Sequence, residues 1–158
     1  MLALNDKKLD PIDRRLLEIL QKNARTKLNE MAQQLGLTIP TISERIQKLE
    51  DRGFIKGYTA ILDAKRLGKD ITAFITVSID SSKHYQMFME RARETEEILE
   101  CHSVTGEGSH LIKVRAEDTN ALEKLLSRIQ SWPGVLSTKT SVVLSTIKES
   151  TILKTQNN

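Results

Sequence analysis

One short turn constrains the fold of this chain more than any other feature of its sequence. It runs Gln34-Leu35-Gly36-Leu37-Thr38 and has apolar residues at helical spacing on both sides. Glycine tolerates the left-handed conformation in which many helices end, and threonine is a favoured cap at a helix start. The turn therefore predicts two helices in quick succession, one that ends at Gly36 and one that begins after Thr38.

Three helices are predicted in the first third of the chain. The first begins at Pro11 after the capping residue Asp10, because proline is favoured in the first turn. The second covers residues 28–35, and the third follows Thr38 with Pro40 in its first turn, where a missing N–H costs little. The inward stripe of the third helix is Ile42, Ile46 and Leu49. This order is that of a helix-turn-helix, whose last helix lies in the DNA major groove.

The remainder of the chain has a different periodicity. Residues 52–58 predict a small wing or a linker strand, and the alternation typical of half-buried strands begins at residue 71. The predicted order is strand, helix, strand, strand, helix, strand, which is the ferredoxin-like arrangement. These elements cover residues 71–79, 85–95, 98–104, 110–116, 120–129 and 135–147. Because two helices cover only one face of a four-stranded sheet, a partner chain is expected on the other face.

These elements predict an α+β chain in four segments. They are a winged helix-turn-helix domain at residues 1–58, a linker at 59–70, a ferredoxin-like β-α-β-β-α-β domain at 71–150 and a tail at 151–158. The tail is expected to pair at a sheet edge or to fray. DNA binding is thus expected from the first domain, and oligomerisation from the second.

Charge and composition agree with this division. Residues 1–65 carry 12 Lys/Arg and 9 Asp/Glu, whereas residues 66–158 carry 12 of each, so the whole net charge of +3 lies in the candidate DNA-binding part. No apolar run approaches a membrane span, and residues 1–8 are too short and too soon charged for a signal peptide. A cytoplasmic location and no membrane partner are therefore expected.

The sequence offers no catalytic or metal-binding pattern. A single cysteine, Cys101, excludes an internal disulfide framework and a multi-cysteine metal site. The histidines His84, His102 and His110 fall on separate predicted elements, without metal-ligand spacing. Nucleophile triads, phosphate loops and dinucleotide fingerprints are also missing. No metal, no cofactor and no enzymatic activity are expected.

Many short segments, taken in order, resemble the leucine-responsive regulator/AsnC family, also called feast/famine regulators. The resemblance covers the chain from about Leu9 to Lys148. No single segment is specific, but their order is. The segments are residues 9–17, 23–25, 35–38, 44–50, 53–58, 100–106, 111–114, 133–135 and 138–140.

The resemblance implies a prokaryotic transcription regulator and a second domain of the RAM/ACT-like type. Members of the family bind palindromic double-stranded DNA as homodimers, often assemble further into octamers as tetramers of dimers, and bend DNA. Many respond to an amino acid held between subunits of the second domain. The partners implied for this chain are therefore DNA, further copies of itself and an amino-acid effector.

The inward stripe of the third helix indicates which side chains face DNA. Residues near its N-terminus contact base edges in such modules, which favours Thr38, Pro40, Thr41 and Glu44, with Ser43 flanking them. Arg45 and Lys48 are predicted at phosphates or a neighbouring base, although a solvated helix surface also explains single charged residues. Two further phosphate candidates precede the second helix, namely Arg25 and Lys27.

The candidate effector site departs from the family pattern. The family's turn between the second and third strands has glycine, two variable residues and an acidic residue that pairs with the ligand's ammonium group. Here the turn is Gly106-Glu107-Gly108-Ser109, so Ser109 occupies the acidic position, and Glu107 offers a carboxylate from another angle. The resemblance also implies Thr138 and Thr140 as residues lining the cleft.

Three interpretations of this site remain open: an amino acid bound in altered geometry, a different ligand, or a vestigial site. A plain hairpin turn also explains Gly106 and Gly108. At the level of the whole protein, two alternatives to a DNA-binding regulator remain. One is a small-molecule sensor with little DNA affinity, and the other is an enzyme similar to the siroheme decarboxylases, which share this scaffold.

Overall fold

The computed structural model describes residues 9–155, which form two compact units. The first comprises residues 9–61 together with 149–155, and the second comprises residues 62–148. The N-terminal segment 1–8, on which the expectation about a signal peptide rests, and residues 156–158 lie outside the described part. No helix within residues 9–155 combines the length and the apolar character needed to cross a bilayer.

Three helices make up most of the first unit, as predicted. They are α1 (Pro11–Lys22), α2 (Leu28–Leu35) and α3 (Ile39–Asp51). The Asp10 carboxylate accepts a hydrogen bond of 2.7 Å from the Asp13 amide and caps α1. Gly36 ends α2 with a φ of 64°, and the Thr38 hydroxyl accepts from the Thr41 amide at 3.4 Å at the start of α3.

The core of this unit sets the rotation of α3. Ile42 and Leu49 are buried, and Ile46 packs partly buried against the same cluster, so the predicted inward stripe is confirmed. The partners of this stripe come from the two preceding helices; they are Leu16, Leu17, Leu20, Met31 and Ala32. Because one face of α3 is buried among them, the opposite face lies in solvent.

An ion-pair cluster joins α3 to the start of α1. Nη1 of Arg45 lies 2.6 Å from Oδ2 of Asp10 and 2.7 Å from Oδ1 of Asp13. Burial acts to raise the pKa of Asp10, but hydrogen bonds from the Asp13 amide and the Arg45 guanidinium outweigh it, and the net pKa is lowered. The same carboxylates raise the pKa of Arg45. The cluster therefore stabilises the charged forms and ties the two helices together.

The segment that follows α3 differs from the expectation of a strand. Within the described chain, residues 52–70 are extended or turned, and none of them pairs in a sheet. The Tyr58 hydroxyl donates to Oε1 of Glu50 at 2.8 Å, which ties the segment back to α3. An extended segment becomes a strand only when a neighbouring strand satisfies its backbone groups, and within residues 9–155 no strand pairs with this one, whose bond to Glu50 joins side chains alone.

The second unit has the predicted β-α-β-β-α-β order. Its strands are β1 (Ile71–Ile79), β2 (Ile98–Ser103), β3 (His110–Ala116) and β4 (Val135–Val142). Its helices are α4 (Tyr85–Glu94), preceded by a 3₁₀ turn at Ser82–His84, and α5 (Thr119–Gln130). The sheet is antiparallel with the strand order β2-β3-β1-β4.

The two faces of this sheet differ in burial. Along β3 every second residue is buried, from His110 to Ala116, and β1 contributes Ala73, Ile75 and Val77 to the same core. Both helices cover that face, with Phe88 and Trp132 among the buried side chains. The opposite face, which we call the open face, is covered by no helix of the second unit, residues 62–148. Phe74, in the central strand β1, is 38% exposed there.

The end of the chain departs from two expectations. β4 stops at Val142, which lies opposite Ala73, rather than at residue 147, and the bond from the Val143 amide to the Thr72 carbonyl at 2.9 Å ends its pairing with β1. The described part of the tail, residues 151–155, does not pair at a sheet edge. Together with residues 149–150 it belongs to the first unit, where it contacts α1.

The Arg45 cluster generates a stability prediction. Arg45→Met leaves two carboxylates without their cation, so we expect α3 to lose about 1–2 kcal/mol of protection, measured by hydrogen exchange of its amides. Because the pKa of Asp10 is lowered in the folded chain, its stabilisation is complete at pH 7 and is lost as pH falls below about 4. The difference in hydrogen-exchange protection between Arg45→Met and the wild type therefore shrinks in acid.

Arg15→Met is the matched control, because Arg15 pairs with Glu18 at the surface of α1. An exposed pair of this kind contributes about 0–1 kcal/mol. Equal losses of protection in the two variants, or a loss in Arg45→Met that is independent of pH, contradict the assigned role of the cluster.

Candidate nucleic-acid interface and ligand turn

The N-terminal half of α3 presents a continuous solvent-exposed surface. Thr38, Pro40, Ser43 and Glu44 are exposed, and Thr41 is half-buried. The hydroxyls of Thr38 and Thr41 share a hydrogen bond of 2.8 Å beside the first turn. The structure thus brings together the side chains that the sequence predicts near base edges, on the face of α3 opposite its core.

The charged residues of this surface pair with one another in the free protein. Nζ of Lys48 lies 2.6 Å from Oε1 of Glu44, and their side chains are 64% and 66% exposed. The hydrogen bond and the charge of Lys48 lower the pKa of Glu44. Exposed pairs of this kind are weak. Both groups are therefore available to a ligand, Lys48 for a phosphate and Glu44 for a cytosine amino group.

Two further predicted contacts lie in the loop before α2. Arg25 and Lys27 are both exposed. Oδ1 of Asn23 accepts from the Arg25 amide at 3.0 Å, and the Thr26 amide donates to the Asn23 carbonyl at 3.1 Å, so the loop is locally ordered. Its two cations flank the helix-turn-helix without any described ion pair.

Arg45 has a different position from the one predicted. Its side chain is 27% exposed, and its guanidinium is held by Asp10 and Asp13 at the start of α1. A cation already paired with two carboxylates is poorly available to a phosphate. The sequence could not show this, since the partners lie 32 and 35 residues earlier in the chain.

The predicted ligand turn closes the hairpin between β2 and β3 over the end of β1. The Ser109 amide donates to the Val77 carbonyl at 2.9 Å, and the Val104 amide donates to the Ser109 carbonyl at 3.0 Å. Gly108 has a φ of 76°, and a Cβ there would lie 2.6 Å from Cγ2 of Thr76 and 2.9 Å from the Val77 carbonyl oxygen. Glycine is therefore required both for the conformation and for the close approach.

Ser109 faces the interior. Its hydroxyl donates to the Val77 carbonyl at 3.3 Å and lies 2.9 Å from Nδ1 of His110. His110 is fully buried, its Nε2 is 3.3 Å from the Ser103 hydroxyl, and burial lowers its pKa. One ring nitrogen of the neutral imidazole donates and the other accepts, and the hydroxyls of Ser109 and Ser103 supply a partner for each. Sequence reasoning did not find this internal role for His110.

The other predicted ligand residues fall on two faces of the sheet. Oε2 of Glu107 lies 2.9 Å from Nζ of Lys139, which raises the pKa of Lys139 and lowers that of Glu107. Lys139 pairs with Thr76 in the register and is on the open face. Thr138 and Thr140 alternate with it, and Gln130 of α5 donates to the Thr138 hydroxyl at 2.7 Å.

Lys139 is thus a candidate ligand-binding residue that the sequence analysis missed. It lies on the open face, whereas Thr138 and Thr140 lie on the covered face. Its position between Thr138 and Thr140 was the available signal, because alternation along a strand places it on the opposite face. Within residues 9–155, no group of three or more His, Cys, Asp and Glu side chains is arranged to hold a metal ion.

Comparisons with known proteins agree with this geometry. A family model described as "Winged helix-turn-helix DNA-binding" matches residues 9–56, and one described as "Lrp/AsnC ligand binding domain" matches residues 72–153. An HTH-type transcriptional regulator of Pyrococcus abyssi is 39% identical over 145 residues, which are 92% of this chain and 95% of that protein. The leucine-responsive regulatory protein of Escherichia coli K12 is 36% identical over 155 residues, 95% of this chain and 94% of that protein.

A solved structure extends the similarity to the fold. The chain matches a transcriptional regulator of Neisseria meningitidis in complex with L-methionine with a TM-score of 0.88 and 32% identity, over 92% of this chain and 96% of that one. The predicted family resemblance and the α+β fold class are confirmed. Because these relatives are named as regulators, the comparisons also favour a non-enzymatic function.

The close approach at Gly108 yields a prediction for the ligand turn. Gly108→Ala forces an alanine into a left-handed conformation, which costs roughly 1–2 kcal/mol, and adds a clash with β1 worth about 1–3 kcal/mol. Chemical unfolding followed by fluorescence of Trp132, the single tryptophan, measures the loss of stability.

Gly68→Ala provides the comparison, since Gly68 has a φ of 73° and nothing within 4 Å of its Cβ position. We expect it to show the conformational cost without the steric one. Identical losses for the two variants would mean that the turn moves freely away from β1.

Proposed function

Because the chain belongs to the Lrp/AsnC family of transcriptional regulators, we propose that it is a sequence-specific DNA-binding regulator that acts as a dimer or higher oligomer. The observation that carries this proposal is the surface of α3. Ile42 and Leu49 bury one side of the helix, which leaves the polar N-terminal half of the other side exposed. A helix so placed after a tight turn fits the major groove.

The side chains of this surface divide into two roles. Thr38, Pro40, Thr41, Ser43 and Glu44 contact base edges, where threonine methyl groups meet thymine and the Glu44 carboxylate accepts from cytosine. Phosphates are bound by cations with exposed side chains, namely Lys48, Arg25 and Lys27. Arg45 is assigned a structural role, because its guanidinium is held by α1.

The active form is an oligomer joined through the open face of the sheet. No helix of the second unit covers that face, and Phe74 is partly exposed at its centre. A second copy of the chain placed there brings two α3 helices to palindromic half-sites about one helical turn apart. Further assembly to a tetramer of dimers, as the family resemblance implies, bends DNA around several sites.

An amino acid bound between subunits, near residues 106–109, modulates DNA binding. The Neisseria meningitidis relative was solved with L-methionine. In this chain, Ser109 has no charge and its hydroxyl faces inward, whereas Glu107 and Lys139 offer both signs of charge on the open face. The ligand's ammonium and carboxylate groups therefore pair with Glu107 and Lys139 in a geometry that differs from the family pattern, and binding is weak.

DNase footprinting on the gene's own upstream region tests the proposal. We expect protections that repeat at about one helical turn, with hypersensitive bands between them where DNA is bent. Glu44→Ala loses about 1–3 kcal/mol of discrimination at one base pair. Lys48→Ala weakens binding to all DNA sequences equally and reduces the slope of log K against log salt by about 0.9.

Lys124→Ala, an exposed lysine on α5, is the control for loss of one positive charge. It should leave the footprint and the salt slope unchanged. Failure of the wild type to protect any site at low salt, where phosphate contacts are strongest, argues for a sensor without DNA affinity.

The oligomer and the effector are tested together by Phe74→Glu. A buried, unpaired charge in the subunit interface is costly, so we expect the variant to sediment as a monomer. If the amino acid binds between subunits, calorimetric binding of L-methionine disappears with the oligomer.

Ser127→Glu adds the same charge on the exposed side of α5 and should keep both properties. An oligomeric Phe74→Glu variant shows that the open face is not the interface. A monomer that still binds L-methionine shows that the ligand site lies within one subunit.

A further inference from the structure

The C-terminal segment of the chain returns to the DNA-binding unit. The chain leaves the first unit at residues 61–62, forms the whole second unit, and re-enters the first unit at residues 148–149. Six residues, 143–148, connect β4 to this returning segment. The first unit is therefore joined to the second by two covalent connections instead of one.

The returning segment lies along the outer face of α1. Nε2 of Gln21 donates to the Leu153 carbonyl at 3.0 Å, and the Leu153 amide donates to Oε1 of Gln21 at 2.7 Å. This reciprocal pair occupies both hydrogen-bonding groups of the Leu153 backbone. The Leu153 side chain is 75% exposed, so the contact depends on its backbone.

Two more residues of α1 complete the contact. The Thr155 hydroxyl donates to Oε1 of Glu18 at 3.0 Å, and the Arg14 guanidinium donates to the Thr155 carbonyl. Arg14, Glu18 and Gln21 are spaced four and three residues apart, so they share one face of the helix. The opposite face of α1 carries Leu16, Leu17 and Leu20 into the core. The outer face thus contacts the tail through these three side chains, while Oε2 of Glu18 also pairs with Arg15.

The contacts continue from the tail through α1 to α3. Arg14 follows Asp13 directly in α1, and Asp13 with Asp10 holds Arg45 of α3. A packed helix thus separates the tail from α3. The tail is therefore bonded to the same helix to which Arg45 fastens α3.

We propose that the outer face of α1 is a docking surface for residues 149–155 of this chain, and that this strap sets the DNA affinity of the first unit. The inference rests on the proposed DNA-binding function. A unit held at both ends samples fewer orientations than a unit held at one end. Two such units in an oligomer therefore lose less entropy when they engage two half-sites, and they bind more tightly.

Two variants, one in α1 and one in the tail, break the hydrogen-bonded pair of Gln21 and Leu153. Gln21→Ala removes the side chain that pairs with Leu153, and Leu153→Pro removes the amide that donates to Gln21. We expect each to raise the Kd for the footprinted duplex about fivefold, measured by fluorescence anisotropy. Because both variants break one contact, the double variant should be no worse than either single one. The salt slope should stay unchanged, since no phosphate contact is lost.

The control variants preserve the contact. Leu153→Ala keeps both backbone groups, and Gln86→Ala removes a glutamine that pairs with Glu90 in α4. Both should bind DNA like the wild type. Hydrogen exchange of the full chain supplies a readout that does not involve DNA: the Leu153 amide should exchange faster in Gln21→Ala than in the wild type or Gln86→Ala.

The possible results separate the two proposals. Wild-type affinity in both release variants, or an unchanged exchange rate at Leu153 in Gln21→Ala, overturns the strap. A change of oligomeric state in sedimentation that accompanies the loss of affinity also overturns it, because the tail then serves subunit assembly. If the wild type itself binds no DNA, the proposed function fails, and so does the proposal that the strap sets DNA affinity. The exchange rate of the Leu153 amide still shows whether residues 149–155 dock on α1.

Discussion

Burial of one side of α3 is the constraint on which the DNA-binding surface depends. Ile42 and Leu49 have almost no solvent exposure, and they fix the rotation of the helix about its own axis. A rotation of one residue, about 100°, would carry Ser43 and Glu44 away from the exposed surface. The hydrophobic core thus determines which polar residues of α3 face the solvent, although none of the core residues belongs to that surface.

Electrostatic interactions then divide the charged residues of α3 between stability and binding. Arg45 and Lys48 are three positions apart, and the sequence alone predicts both at phosphates or a neighbouring base. Arg45 is held by two carboxylates of α1, whereas Lys48 has one exposed partner on its own helix. A weak exposed pair exchanges readily for a phosphate, but a partly buried pair with two carboxylates is costly to break.

The second unit uses the two faces of one sheet for different purposes. The covered face holds the core and includes the buried His110, which anchors the ligand turn through Ser109. The open face carries Phe74 and the Glu107–Lys139 pair. Thr138 and Thr140 stand on the covered side, so a ligand that touches these threonines and Lys139 must reach around the edge strand β4.

The sequence by itself determined the local elements, because caps, turns and periodicity are local properties. Asp10, Gly36 and Thr38 bounded the helices correctly, and alternation identified the two central strands of the second unit, β1 and β3. The tertiary structure decided what depends on contacts distant in sequence. These are the pairing of Arg45 with two carboxylates of α1, the end of β4 opposite Ala73, the inward orientation of Ser109, and the docking of Leu153 on Gln21, 132 residues earlier. Such contacts leave no periodic pattern, since each joins single residues whose approach only the folded chain defines.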